Sequence, residues 1–407
     1  MIKSTFSALQ YRNFCFFWSG QCVSLMGTWM QRTALIWMAY SMTNSPFLVG
    51  LIGVCQFVPM FLFTLFAGVI VERHNKRKII LITQFLSMIQ SIILTLLTYF
   101  GAVNYVHILI LSTFLGIIQT FDMPARQSFL HEMVPKDSIM NAVSLNSAVV
   151  NLAKIVGPAV SGIVMVSMGL VYCFLLNSLS FFAVLIGLLL INVKSNNIKN
   201  IKDKNLIQEI KEGIVYIKND EYLRFDTIFM AIICTFAMNM QVIVPVFTKE
   251  VLHMGGDVYT HLMSATGVGA LFGAVFMSVR SKNGIKKSLF VFSMFMTSFV
   301  QAVMWFVSNY YIALLCVAII SFYNLAFMNM GNSIFQLKSK KEYKGRVMSV
   351  YAFLNQGSTP IGNFYAGSVM ERFGGIWGFP SCGLISIVLL LLLFIFNKET
   401  INKWLYD

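Results

Sequence analysis

Lys154 stands near the middle of an apolar run, Ala142 to Met168, that is long enough to cross a bilayer. Arg32 stands inside another, between residues 14 and 41. A charged side chain at the centre of a membrane helix costs about 2.5–3.5 kcal/mol on insertion scales, so positions that keep one are by default functional. Ser147, Asn151, Lys154 and Pro158 fall on one face of a helix with about 3.6 residues per turn. A polar stripe of that kind points away from lipid and into the interior of a bundle. Three kinds of chemistry suit Lys154. It could bind an anionic or electron-rich part of a substrate. It could pair with a carboxylate or lose its proton, and so take part in coupling. Or it could be structural, bonded to backbone carbonyls or to Asn and Gln. Arg32 could reach into the same interior or extend outward to the headgroups.

Other candidate contacts are uncharged. Tyr351, Asn355 and Gln356 lie in one late apolar run, Asn324 and Asn329 in the run before it, and Asn239 and Gln241 in an earlier one. Taken singly, such amides more often bond helix to helix than touch a ligand. A proton-driven device needs a carboxylate whose protonation changes between states. All 16 Asp and Glu fall in loops or near the ends of apolar runs, and Asp122 and Asp226 are the deepest. Coupling through either, or through a charge on the substrate itself, stays open.

No reaction chemistry accompanies these residues. His74, His107, His131, His253 and His261 are scattered and form no metal-ligand spacing or His–carboxylate cluster. No phosphate-binding loop is present, so neither ATP hydrolysis nor another enzymatic activity is expected, and no cofactor or metal is implied. The seven cysteines sit in apolar runs and are odd in number, which reads as small core residues without disulfides.

The elements that must position these residues are membrane helices. The chain has 407 residues, 57% hydrophobic and only 11% charged, against roughly a quarter charged in soluble domains. Apolar runs predict twelve spans, at about 14–41, 47–70, 79–100, 105–121, 141–167, 170–192, 225–248, 259–279, 286–307, 310–336, 347–370 and 376–396. The first is too long for a signal-peptide core and is expected to be retained. Every Lys and Arg except Arg32, Lys154, Lys249 and Arg372 falls in the terminal segments or in alternate connections. Basic residues mark the cytoplasmic side, so both termini are expected inside a multi-pass protein of the cytoplasmic membrane. The formal charge of +14 therefore speaks for membrane orientation and not for nucleic acid.

The basic connection 194–224 divides the chain into six-span halves, 1–193 and 225–407. Within it Leu206, Ile210, Ile214 and Ile217 recur at helical spacing, which suits an amphipathic helix on the membrane surface, although a solvated linker with little structure also fits. The halves repeat one another. Gly68 matches Gly273, Gly157 matches Gly362, Gly162 matches Gly367 and Gly169 matches Gly374, all at one common offset. Parallel repeats of this kind occur in alternating-access transporters, whose substrate site lies between the halves near mid-membrane.

The connection GVIVERHNKRK (68–78) is similar to the loop signature of the major facilitator superfamily, G-x-x-x-D-R-x-G-R-R/K. Gly68, Arg73, Lys76 and Arg77 match it, while Glu72 stands in the place of Asp and Asn75 in that of Gly. In such a loop the glycine would let span 2 approach span 11, and the acid among basic residues would latch one conformation, although a plain basic cytoplasmic loop also fits. The stretches GTWMQRTALIWMAY (27–40) and 121–162 resemble one branch of the superfamily, the transmembrane secretion effectors, which include enterobactin-exporter-like and macrolide-efflux-like proteins. Gly157, Pro158 and Gly162 form a G-P-x-x-x-G similar to the span-5 pattern of superfamily antiporters, with Ala153 and Lys154 where the family often has further glycines.

The resemblance implies an all-α fold of two six-helix parallel repeats and an exporter of a small amphipathic compound, drug, macrolide or siderophore in type. It implies alternating access as a monomer, with protons as coupling ion. The pathway would be lined by Arg32, Asn151, Lys154, Tyr351, Asn355 and Gln356, coupled through Asp122 or Asp226. Gating would fall to Gly68, Glu72, Arg73, Arg77, Gly157, Pro158 and Gly162. An importer or uniporter of the same fold, or a non-transporting membrane receptor, is the alternative.

Overall fold

The computed structural model describes residues 7–191, 206–280, 287–340, 343–398, 400 and 404. They are helical: α1 (Arg12–Thr43), α2 (Pro46–Arg73), α3 (Lys76–Tyr99), α4 (Tyr105–Met133), α5 (Ile139–Ser167), α6 (Leu170–Leu190), α7 (Leu206–Asn219), α8 (Glu221–Phe236), α9 (Met240–Glu250), α10 (Gly256–Arg280), α11 (Lys287–Val303), α12 (Tyr310–Lys338), α13 (Lys344–Gly357), α14 (Thr359–Phe373) and α15 (Gly378–Phe396). Among the described residues nine stretches are long and apolar enough to cross a membrane, and Pro46–Met60 is a shorter apolar helix. The protein is therefore a multi-pass membrane protein.

Two compact units form. The first gathers the described residues of Met1–Thr43, Cys55–Lys202 and Gly256–Ser264, the second those of Asn44–Val54, Asp203–Gly255 and Ala265–Asp407. In the first, α1 packs against α5 and α6, and α3 against α4 and α6. In the second the same pairing recurs, with α8 against α14 and α15 and α11 against α12 and α15. A core of aromatic and aliphatic side chains fills each, around Phe14, Phe17, Phe129 and Leu188 in the first. Phe229, Phe290, Phe327 and Phe335 centre the second.

Several boundaries depart from the sequence expectation. The segment 122–140, expected as a loop, is helical to Met133, because α4 continues through Pro124. The Asp122–Arg126 ion pair, four residues apart at 2.5 Å, supports that continuation across the missing amide. The run 225–248 is two helices, interrupted between Phe236 and Met240. The carbonyl of Ala237, freed by the interruption, accepts from Gln301 Nε2 at 2.9 Å and from Asn324 Nδ2 at 3.2 Å. Irregular backbone at membrane depth persists only where such partners exist. The run 347–370 is also two helices, divided at Ser358 with Pro360 in the first turn of the second. The two interruptions adjoin: a Cβ at Gly362 would collide with the Thr235 carbonyl and reach the Asn239 amide.

Part of the connection 194–224 is the helix α7, docked within the second unit. Glu212 pairs with Arg346 at 2.5 Å, Tyr216 stacks on Tyr343 with ring centres 4.4 Å apart, and Ile217 enters the core. Residues 192–205 and the side chains of Leu206 and Ile210 lie outside the described set.

Candidate functional site

The site is built from α1 outward. Trp29 and Arg32 are three residues apart on α1 and so share a face. The Arg32 guanidinium carbon lies 5.4 Å from the Trp29 ring centre and 5.7 Å from that of Phe57 on α2. Its Nη2 makes a long contact of 3.4 Å to Gln56 Oε1, and its Nε is buried without a hydrogen-bond partner.

Lys154 reaches the same tryptophan from α5, with Nζ 5.7 Å from the ring centre. What brings it there is Gly157, one turn along. A Cβ at that glycine would stand 2.5 Å from the Trp29 Cβ and 3.1 Å from backbone atoms of Met26 and Met30, so α5 and α1 touch backbone to backbone. Pro158 lies inside α5 and the helix passes through it unbroken. Because proline has no amide hydrogen, the carbonyl of Lys154 four residues earlier lacks its usual helical donor. One tryptophan thus carries two cations, and among the described residues neither has an ion-pair partner. Cation–π contacts contribute about 0.5–2 kcal/mol each, the larger value when desolvated.

The first turns of α10 close this cluster. Tyr259 is fully buried, stacks on Trp37 of α1 with ring centres 5.3 Å apart, and lies near enough to Arg32 to feel its charge. Its hydroxyl is buried with no hydrogen-bond partner. Thr260, beside it, fills the space left by Gly162 of α5, where any Cβ would collide with the threonine side chain. Asn151 is half-buried one turn before Lys154.

The remaining expected residues divide. Tyr351 is buried in the second unit, donates to the Met328 carbonyl at 3.2 Å and packs against Phe335. Asn355 is half-buried, and the side chain of Gln356 lies outside the described set. Asp122 is tied down on every side: Thr83 donates to it at 2.6 Å, Gln84 at 3.1 Å and Arg126 at 2.5 Å. Asp226 is the opposite case. It is fully buried, and neither carboxylate oxygen has a hydrogen-bond partner, although Lys287 and Trp404 are close by. Lys287 donates to the Trp404 carbonyl and lies 5.1 Å from its ring centre.

Of the loop residues, Arg77 donates to the carbonyls of Leu188 and Leu189, both at 2.9 Å, and so caps the end of α6. Lys76 pairs with Glu132 at 3.6 Å. Arg73 is not without a partner, and the Glu72 side chain lies outside the described set. At Gly68, nothing among the described residues lies within 4 Å of a Cβ placed there. Span 2 makes close approaches at Gly50 and Gly53, against Asn363 and Gly367 of α14, and at Gln56, against Gly116 of α4.

Trp29, Gln56, Phe57, Trp37 and Tyr259 were not singled out by the sequence. The one available signal was the spacing of Trp29 and Arg32. Also unforeseen is a buried network in which Gln31 Nε2 donates to Gln90 at 3.1 Å while its oxygen accepts from Ser91 at 2.7 Å and Asn177 at 2.8 Å. It joins α1, α3 and α6 behind the site.

The profile of the transmembrane secretion effectors matches residues 3–404. A staphyloferrin A transporter of Staphylococcus aureus is 23% identical, the match covering 94% of this chain and 96% of that protein. Macrolide efflux protein A of Streptococcus pyogenes is 22% identical over 88% of this chain and 89% of its own. Among solved structures, a POT family transporter in complex with 5-aminolevulinic acid superposes with a TM-score of 0.77 at 14% identity, covering 96% of both chains.

Proposed function

The chain belongs to the transmembrane secretion effector family of the major facilitator superfamily and is a membrane transporter, and on that premise we propose that it exports a small amphipathic compound across the cytoplasmic membrane by alternating access. In this reading the chain crosses twelve times, counting α1, α2, the α8–α9 pair and the α13–α14 pair as one each, with both termini cytoplasmic, which the bias of basic residues toward alternate connections favours.

One observation carries the reading: two intramembrane cations, Arg32 and Lys154, converge on Trp29, and among the described residues neither has a carboxylate to neutralise it. A purely structural lysine would be bonded to backbone carbonyls or amides, and among the described residues Lys154 is bonded to neither. The aromatic wall and the unpaired donors suit a site that fills and empties. Trp29 and Gly157 place this cluster on the contact between α1 and α5, so relative movement of those helices would change it.

Protons are the coupling ion of this reading, with Asp226 the carboxylate best suited. It alone of the two candidates is fully buried with no hydrogen bond to either oxygen among the described residues, and a proton on it would remove a buried charge that Lys287 stands close enough to offset in part.

Uptake of labelled compounds into inverted membrane vesicles tests the proposal. Export predicts accumulation above equilibrium when the lumen is acid, and loss of that accumulation when a protonophore is added. Equilibration without accumulation would identify a uniporter. No entry of any compound, with the protein present and folded, would sink transport altogether.

A further inference from the structure

The chemistry around Trp29 selects among substrates. We infer that the Arg32–Trp29–Lys154 cluster binds an organic anion, a carboxylate on a flat or apolar body, and that cationic compounds are disfavoured there. This deepens the export proposal and rests on its reading of the cluster as part of the pathway.

Four observations on the first unit support it. Both cations lie within 6 Å of one ring centre, at 5.4 and 5.7 Å, and Arg32 is near enough to Lys154 to repel it. Like charges in a poorly screened interior raise each other's energy, and a bound anion removes that cost. Neither cation has an ion-pair partner among the described residues, so the counter-charge is not supplied there by the protein.

Donors without acceptors surround the same spot. Among the described residues Arg32 Nε is buried without a hydrogen-bond partner, and the hydroxyl of fully buried Tyr259 has none. A carboxylate accepts from several donors at once and is matched by the planar guanidinium fork. A buried donor left unmade is costly, so this arrangement is complete only when an acceptor arrives.

The ring face argues against a cation. Tryptophan is the best aromatic surface for a cationic ligand, but here two protein cations already occupy its field. A third positive charge would meet repulsion from both. An anion instead finds two opposite charges, while Phe57 and Trp29 offer apolar surface for the rest of the molecule.

The test uses three ligands with one body and different charge: 2-naphthoate, 2-naphthylmethanol and 2-naphthylmethylamine. Calorimetric titration of the purified full-length protein in phosphatidylcholine nanodiscs gives their affinities. Naphthoate should bind about tenfold or more tighter than the alcohol, the size of one or two charge-assisted hydrogen bonds, and the amine weakest. Lys154→Gln and Arg32→Gln should each shrink the naphthoate-over-alcohol ratio to near one while the alcohol still binds, and Lys154→Arg should keep the ratio. The alcohol and the Arg variant serve as controls for folding. Equal affinities for the three ligands, no naphthoate binding, or naphthoate binding indifferent to both Gln variants would overturn the inference.

Nanodiscs containing phosphatidylglycerol separate a soluble anion from a lipid headgroup. Unchanged naphthoate affinity supports the soluble substrate, and competitive loss of it assigns the site to lipid and overturns the substrate reading. A protein that pumps cationic compounds into inverted vesicles without binding naphthoate keeps the export proposal and loses this one.

Discussion

Gly157 and Trp29 meet so closely that a Cβ on the glycine would stand 2.5 Å from the tryptophan Cβ. That contact sets the distance between α5 and α1, and with it the position of Lys154 over the indole. Gly157→Ala should therefore cost about 1–3 kcal/mol through overpacking, read as a fall in the melting temperature of the purified protein. The same variant should weaken substrate binding, since it lifts Lys154 from the ring. Gly68→Ala is the contrast. With nothing among the described residues within 4 Å of its Cβ and a position inside α2, it should be neutral or stabilise by up to about 1 kcal/mol. If Gly68→Ala nonetheless abolishes transport while the melting temperature holds, the loop acts in a conformation other than this one.

Asp122 and Asp226 should separate in experiment although the sequence offered them as equals. Asp122 accepts from Thr83, Gln84 and Arg126, so Asp122→Asn breaks a network and leaves Arg126 without its partner. Its main effect should be instability, of about 3 kcal/mol or more. Among the described residues Asp226 makes no hydrogen bond, so Asp226→Asn should disturb the fold less than Asp122→Asn, its cost being the loss of the charge that faces Lys287. It should stop accumulation driven by a proton gradient while leaving exchange of labelled for unlabelled substrate intact. Gradient-driven accumulation at the normal rate in Asp226→Asn would remove it from the coupling path.

Arg77 is predicted to matter chiefly as a helix cap. Its two bonds to the last carbonyls of α6 are charge-assisted, and Arg77→Ala should cost about 2–4 kcal/mol for the pair. Arg77→Lys should recover less than half of that, because an ammonium cannot reproduce the fork. Thermal unfolding of the three proteins in one detergent gives the comparison. A loss of transport in Arg77→Lys with no change in unfolding would instead favour the latch.

The class, the family and the pair of intramembrane cations were legible in the sequence because each is a matter of charge against an apolar background. Lys154 and Arg32 stand out by being the wrong residue type for their surroundings. Gly157 and Gly162 were legible as small residues, but which helix each admits was not, since that depends on packing. The aromatic half of the site was hidden for the complementary reason. Trp29, Trp37, Phe57 and Tyr259 are ordinary members of apolar runs, and only a partner across space distinguishes them. The breaks at 237–239 and at Ser358 were masked by the same apolar composition, which continues straight through them. The extension of α4 past Pro124 was misread because proline and nearby charges look like a loop, whereas the Asp122–Arg126 pair keeps the helix together.

The central claim is that Lys154 and Arg32 serve substrate at Trp29. The most direct measurement uses inverted vesicles holding a pH-sensitive dye and an established proton gradient, challenged with a panel of drugs, siderophores and aromatic carboxylates. The account predicts at least one compound that collapses the gradient with the wild-type protein and fails to do so with Lys154→Ala, at equal protein content. A compound that collapses the gradient equally well with both proteins would contradict it.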